Sequence, residues 1–248
     1  MNPGGCRREL LAVAMSSLMA ATVQAGELHH AASSGSLAAV NALLLSSTVD
    51  LDEVDSMGTP LHHAIMGRHY AVAKRLMTAG ANLNAADSSL GTPLYLAVRG
   101  RDEAAARLLI AAGADLEGQG PIGTPLHVAA RHNWDNMVTL LLERGAELDA
   151  RNRELATPLA LAAWKGSLDA AKVLVAKGAD IEAKNLHGQT PVFYAVVGPN
   201  AVNLVAFLLE HGAEINVRDT TGVTPLTMAI SHDRQPAIEI LRVHGGVE

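Results

Sequence analysis

The chain is 248 residues long and carries a formal net charge of −6. It is 49 % hydrophobic but only 3 % aromatic, so any core is built from Ala, Leu, Val and Ile. The acidic balance argues against nucleic-acid binding, which needs a cationic surface, and the aliphatic composition suits stacked helix pairs better than one thick globular core.

Residues 1–25 stand apart from the rest. Arg7-Arg8 gives a positive start, Leu10 to Ala21 is apolar and uncharged, and Val23-Gln24-Ala25 sets small residues where a signal peptidase reads. The pattern is that of a secretory signal peptide cut between Ala25 and Gly26, which predicts a periplasmic or secreted, bacterial protein. The plainer alternative is an extra capping helix in a cytoplasmic protein. The arginine pair is loosely twin-arginine-like, but Cys6 stands where Ser or Thr is usual, so the export route stays open. Cleavage removes the only cysteine and leaves a mature chain without thiol or disulfide. No later apolar run reaches the length of a membrane span, so no membrane insertion of the mature chain is expected.

Beyond residue 25 one phrase recurs. Thr-Pro-Leu begins at Thr59, Thr92, Thr124, Thr157 and Thr224, and Thr190 opens a Thr-Pro-Val variant; the steps between the threonines are 33, 32, 33, 33 and 34. A fixed period of this size marks a stacked repeat array. Thr is a good helix N-cap and Pro is preset for the first helical position, so each phrase opens a helix. Leu61/Ala64, Leu94/Ala97, Leu126/Ala129, Leu159/Ala162, Val192/Ala195 and Leu226/Ala229 then share one helix face. After a polar break comes a second helix, with apolar pairs such as Leu108-Leu109 and Leu141-Leu142, which stops at Gly80, Gly113, Gly145, Gly178, Gly212 or Gly245. Short extended pieces such as Ala81-Asn82-Leu83-Asn84 are expected to lead into polar turns such as Asp219-Thr220-Thr221-Gly222.

These phrases resemble the ankyrin repeat family. Thr-Pro-Leu-His at 59–62 and 124–127, Leu-Leu-Glu-Arg-Gly-Ala-Glu-Leu at 141–148 and Leu-Leu-Glu-His-Gly-Ala-Glu-Ile at 208–215 carry the match, which covers about residues 26 to 248. The resemblance implies an all-α ankyrin-repeat solenoid of about seven helix-turn-helix units joined by short β-hairpin-like turns. Residues 26–54 are expected to form a degenerate N-terminal cap, followed by repeats near 55–87, 88–119, 120–152, 153–185 and 186–219 and a C-terminal cap at 220–248. Gly198-Pro199-Asn200 adds one residue between two helices and reads as a widened turn.

No nucleophile elbow, phosphate loop or His-Glu-x-x-His motif occurs, so no catalytic residue and no cofactor is expected. The carboxylates Asp115/Glu117, Glu147/Asp149, Asp180/Glu182 and Glu214/Asp219 recur with the period and read as solvated turn edges. His29, His30, His62 and His63 occupy matching positions of adjacent units and offer a metal-binding alternative. The resemblance favours a structural role instead: His62 and His127 match the family's turn-bonded histidine.

The resemblance also implies a binding surface made by the turn tips and the ends of the first helices. On this chain the candidate partner-binding residues are Met66, Arg68, Arg99, Arg101, Arg131, His132, Trp134, Trp164, Lys165, His187, His232 and Arg234. His69 and the tip residues Ser56, Met57, Ser89, Leu90, Pro121, Ile122, Leu186 and Thr221 lie in the same zone. The set is basic and aromatic on an acidic chain, and Trp and Arg are enriched at binding hot spots. The plainer reading packs Trp134 and Trp164 over the inter-helix turn. The expected function is a non-catalytic protein-binding module, a monomer when unbound, serving as adaptor or stabiliser of a partner protein. A cognate inhibitor, such as an immunity protein against a toxin, is the alternative, and metal binding a more distant one. Export predicts that N-terminal sequencing of the mature protein begins at Gly26; a cytosolic chain beginning at Met1 would contradict it.

Overall fold

The computed structural model describes residues 26–46 and 48–248. The proposed signal peptide, with Cys6, Arg7 and Arg8, lies outside the described residues. The chain divides into two compact units, one ending at Ala114 and one running from Asp115 to Glu248.

The first unit holds α1 (helical residues 26–33), α2 (Leu37–Leu43), α3 (Pro60–Met66), α4 (Tyr70–Ala79), α5 (Pro93–Arg99) and α6 (Glu103–Ala111). Here α3 packs on α5, and α4 lies between α2 and α6. The second unit holds α7 (Pro125–Arg131), α8 (Asp135–Glu143), α9 (Pro158–Lys165), α10 (Leu168–Ala176), α11 (Pro191–Val197), α12 (Ala201–Glu210), α13 (Pro225–Ser231) and α14 (Gln235–Val243). In it α9 sits between α7 and α11, α11 meets α13, α10 packs on α8, and α12 packs on α14. Both units are thus stacks of helical hairpins. No helix among the described residues is long and apolar enough to cross a membrane.

The repeated phrase does what its chemistry dictates. Thr59, Thr92, Thr124, Thr157, Thr190 and Thr224 are all N-caps, each followed by Pro at the start of the helix. The Leu/Ala pairs are buried throughout, from Leu61 and Ala64 to Leu226 and Ala229. Small Ala at the second position lets the next hairpin approach. The second helices end on Gly in the left-handed region, from Gly80 (φ 99°) to Gly245 (φ 85°), where a Cβ would be strained. At two of these ends a histidine adds to the cap: His211 and His244 each donate Nδ1–H to a carbonyl one turn back, at 2.8 Å.

The segments after the second helices differ from expectation. They are tight turns closed by backbone bonds such as Ala150 N–H to Glu147 O and Ala183 N–H to Asp180 O, both 3.3 Å. Among the described residues the only bridges are two isolated ones, Asp55 with Gly58 and Asp87 with Gly91. An Asx side chain fixes most tips. Asp55, Asp87, Asn152, Asn185 and Asp219 each accept the N–H two residues on, at 2.7 to 3.0 Å.

The periodic carboxylates do more than face solvent. Asp52, Glu117, Asp149 and Glu182 each accept a backbone N–H of the following repeat, at Asn82, Glu147, Asp180 and Glu214. Burial raises the pKa of Glu117, Asp149 and Glu182, which marks them as half-enclosed brackets between hairpins.

Two histidines bridge repeats from inside. Nδ1 of His127 accepts Thr124 N–H at 3.2 Å, and its Nε2 donates to Ala156 O of the next repeat at 3.0 Å. His62 repeats the pattern with Thr59 and Gly91. Both rings are fully buried, so each is the neutral Nε2–H tautomer. Burial pulls His127 down from 6.5 to about 4 and shifts His62 the same way. Between those two pH values the unfolded chain binds more protons at this site. The contribution of His127 to stability is therefore whole above pH 6.5 and lost as pH falls toward 4. Denaturant unfolding of the wild type and His127→Gln at pH 7.5 and 4.5 tests this, since Gln can keep the N-cap acceptor. Wild type should lose roughly 2–3 kcal/mol more on acidification than the variant. The raised carboxylates act in the opposite sense in both proteins and cancel. Equal losses would contradict the assignment.

Candidate functional site

Every hairpin turn but that of Gly198-Pro199-Asn200, where Gly198 has φ −71° and Asn200 φ −116°, passes through one residue in the left-handed region. Gly occupies that position at Gly35 and Gly166, but Arg68 (φ 56°), Arg101 (φ 51°), Asn133 (φ 51°) and Asp233 (φ 51°) occupy it elsewhere. An L side chain there costs roughly 1–2 kcal/mol. At two of them the structure shows an offsetting contact with the next repeat. Asn133 Oδ1 caps α10 by accepting Ala170 N–H at 2.9 Å, while its Nδ2 donates to Asp169 at 3.0 Å. Arg68 reaches the buried carboxylate of Asp102, Nε to Oδ2 at 3.8 Å. Asp102 also caps α6 at Ala105 and receives the Tyr70 hydroxyl.

In the first unit, therefore, Arg68 is engaged in inter-repeat bonding, and Met66 is half-buried beside it in a shallow pocket of about 210 Å³. Arg99 and Arg101 are exposed. His69 is turned away from the others and donates to Ser33 O at 2.9 Å.

The second unit holds a more developed site. Trp164, at the end of α9, is 39 % exposed. Two cations lie over its ring: the Arg131 guanidinium 5.4 Å from the centroid and the Lys165 ammonium at 4.4 Å. The Arg131 backbone is tied to the next repeat, its carbonyl accepting the Ser167 hydroxyl at 3.0 Å. A groove of about 370 Å³ opens in front of the indole, lined by Pro121, Ile122, Arg131, Asn152, Arg153, Glu154, Leu161 and Trp164. Asn152 sets its far wall by donating to Ile122 O at 3.0 Å and accepting Ala156 N–H at 2.9 Å. Ile122 and Tyr194 pack on the buried Ala156, Ala160 and Leu161 beneath. Leu155 and Leu186, 43 % and 56 % exposed, project from the two tips beyond it, and Leu186 N–H is held by Glu154 O at 3.0 Å. Hot-spot aromatics and cations beside apolar side chains on a hydrogen-bonded frame form a surface suited to a macromolecule.

The remaining candidates fall elsewhere. Trp134 is 8 % exposed and serves as the N-cap of α8, so it packs in the turn and offers little contact surface. His132 is half-buried beside it. Arg234 donates to Val197 O and Gly198 O, both at 2.7 Å, which fills the widened turn at Gly198-Pro199-Asn200 and binds the guanidinium to its neighbour. His232 is exposed, with Nδ1 3.0 Å from Met228 O. His187 is exposed at a tip whose backbone is pinned by Asn185 and Thr220. Arg153, Asn152 and Leu155 lie outside the set expected from sequence; their one sequence signal is Leu155, which stands where the equivalent tips have Gly188 and Gly222, and it takes the same left-handed conformation, φ 58°.

Of the four histidines raised as metal ligands, His62 drops out, because both ring nitrogens serve the turn network. His29 and His63 do meet, with ring centroids 5.2 Å apart and edge to face.

A family model described as ankyrin repeats (3 copies) matches residues 28–120, 116–185 and 182–248. Among solved structures the chain is similar to the ankyrin repeat domain of human ASB11, with 27 % identity and a TM-score of 0.74 over 89 % of this chain and 98 % of that one. No curated protein matches it in sequence.

The two tryptophans can be separated in solution. With Trp134→Phe, the remaining emission from Trp164 should be quenched by iodide several-fold more strongly than the Trp134 emission left by Trp164→Phe. Equal quenching would contradict the placement.

Proposed function

The chain belongs to the ankyrin repeat family, and from that premise we propose that it is an adaptor or stabiliser of another protein in the bacterial cell envelope. Ankyrin repeats are protein–protein interaction modules. The observation that carries the reading to a particular surface is Trp164, with Arg131 and Lys165 over its ring, lining a groove that mixes apolar and charged side chains.

The partner's chemistry follows from that groove. Arg131, Arg153 and Lys165 place three cations around one indole, with Glu154 as the single acid lining it. The complementary segment presents a carboxylate next to an apolar side chain. Recognition works by shape and charge on a surface already fixed by its frame, without chemistry and without a cofactor. Little ordering cost is then incurred on binding. An interface of roughly 800 Å² per partner is the scale of such a contact. The charged start, apolar stretch and small-residue site within residues 7–25 support export to the periplasm.

Affinity capture from an envelope extract, followed by binding titration of the captured protein, tests the reading. The Trp164→Ala/Arg131→Ala double variant should bind at least about 30-fold more weakly, the scale of losing two hot-spot side chains. Lys172→Ala, on the exposed side of α10, should bind as the wild type does. Equal affinity of all three would overturn the groove as the site. A captured enzyme that loses activity in the complex would make the chain an inhibitor instead of an adaptor. Capture from the cytosol alone would remove the envelope while leaving the binding role.

A further inference from the structure

A second cluster of functional groups lies in the first unit. His29 of α1, His63 of α3 and Asp55 of the turn before α3 each direct a metal-binding atom to one place: a ring nitrogen of each histidine and a carboxylate oxygen lie within 4.8 Å of one another. We propose that these three residues form a binding site for a divalent transition metal of the zinc class.

The donor set selects the metal. Two imidazoles and one carboxylate suit Zn²⁺, Co²⁺ or Cu²⁺ and are too few, and too rich in nitrogen, for Ca²⁺ or Mg²⁺. Ligand atoms around a tetrahedral Zn²⁺ at about 2.0–2.1 Å stand roughly 3.3 Å apart. His63 Nε2 is already 3.0 Å from both oxygens of Asp55, so one ligand pair is at that spacing. The third ligand atom, on His29, lies within 4.8 Å of the other two.

The surroundings favour a fixed site. His29 and His63 are 5 % and 8 % exposed, so their rings are held by packing. His29 Nε2 lies 2.9 Å from Glu53 O, a contact that fixes the plane of the ring. A backbone carbonyl in that role is the usual outer support of a metal-bound histidine. Asp55 is positioned by Met57 N–H, which it accepts at 2.7 Å, with both carboxylate oxygens 3.0 Å from His63 Nε2. The cluster opens onto a pocket of about 400 Å³ lined also by His30, which leaves room for a water or a fourth ligand.

Bound metal displaces the proton that His63 Nε2 shares with Asp55 and links α1 to the turn and helix of the next repeat. It therefore clamps the polar N-terminal unit, whose Thr-Pro cap is missing, onto its neighbour.

Calorimetric titration of the tag-free, chelator-treated protein with Zn²⁺ alone tests this, together with the visible spectrum of the Co²⁺ form. One equivalent should bind, Co²⁺ should give a tetrahedral-type spectrum, and unfolding should shift to higher temperature with metal. Asp55→Asn keeps the oxygen that accepts Met57 N–H, so the turn folds; it should weaken Zn²⁺ at least about tenfold, as should His29→Gln. His62→Gln, which touches no proposed ligand atom, should leave affinity unchanged. No saturable binding, or an affinity unaltered by Asp55→Asn and His29→Gln in proteins with wild-type circular dichroism, would overturn the site.

Discussion

Seven residues are too few for a helix to persist in water, and α3, α5, α7, α11 and α13 are each seven residues long. Such helices exist only because every one is preset at its start by Thr-Pro and flanked by its neighbours. The Thr-Pro entry satisfies the first requirement locally. The second is met between repeats, by the buried Leu/Ala faces, by His62 and His127 reaching the next turn, and by carboxylates that hold the following backbone. Each unit is therefore a chain of mutual dependence in which stability is a property of adjacency.

That dependence decides which side chains remain for function. Groups that hold one repeat to the next are occupied, however suggestive their chemistry. Arg234 spends its guanidinium on two carbonyls of the previous hairpin, Arg68 reaches Asp102, and Asn133 caps α10. Arg131 and Trp164 differ because they contact each other and both still line the groove, with Trp164 39 % exposed. The frame is the same one that makes the hairpins stable, so the proposed binding surface is preorganised by folding itself.

Much of this was legible in the residues. The period, the six threonine caps, the glycine stops and the Leu/Ala faces are local signals repeated in phase, and each appears where its chemistry requires. The bonding of His62 and His127 was legible only through family resemblance, because the carbonyl each one reaches lies 29 residues away. Non-local geometry was hidden. The spacing of Asp149 and Glu182 looks like a solvated turn edge until the next hairpin is laid beside it. Trp134 and Trp164 both fall where two helices of a hairpin meet, but three positions apart in the repeat: Trp134 is the N-cap of α8 and packs inward, while Trp164, near the end of α9, faces out. Asp55 was missed as a companion of the histidines because it belongs to a turn, while His29 comes from the degenerate first unit.

The account holds that one fixed face of the second unit recognises a protein. Amide hydrogen exchange of the free chain and of its complex with the captured partner measures that directly. New protection should appear at the tips around 121–123 and 153–155 and at the helix ends 131–132 and 164–166, with the interiors of α8 and α10 unchanged. New protection centred on α8 and α10, with the Trp164 groove exchanging as in the free chain, would contradict it.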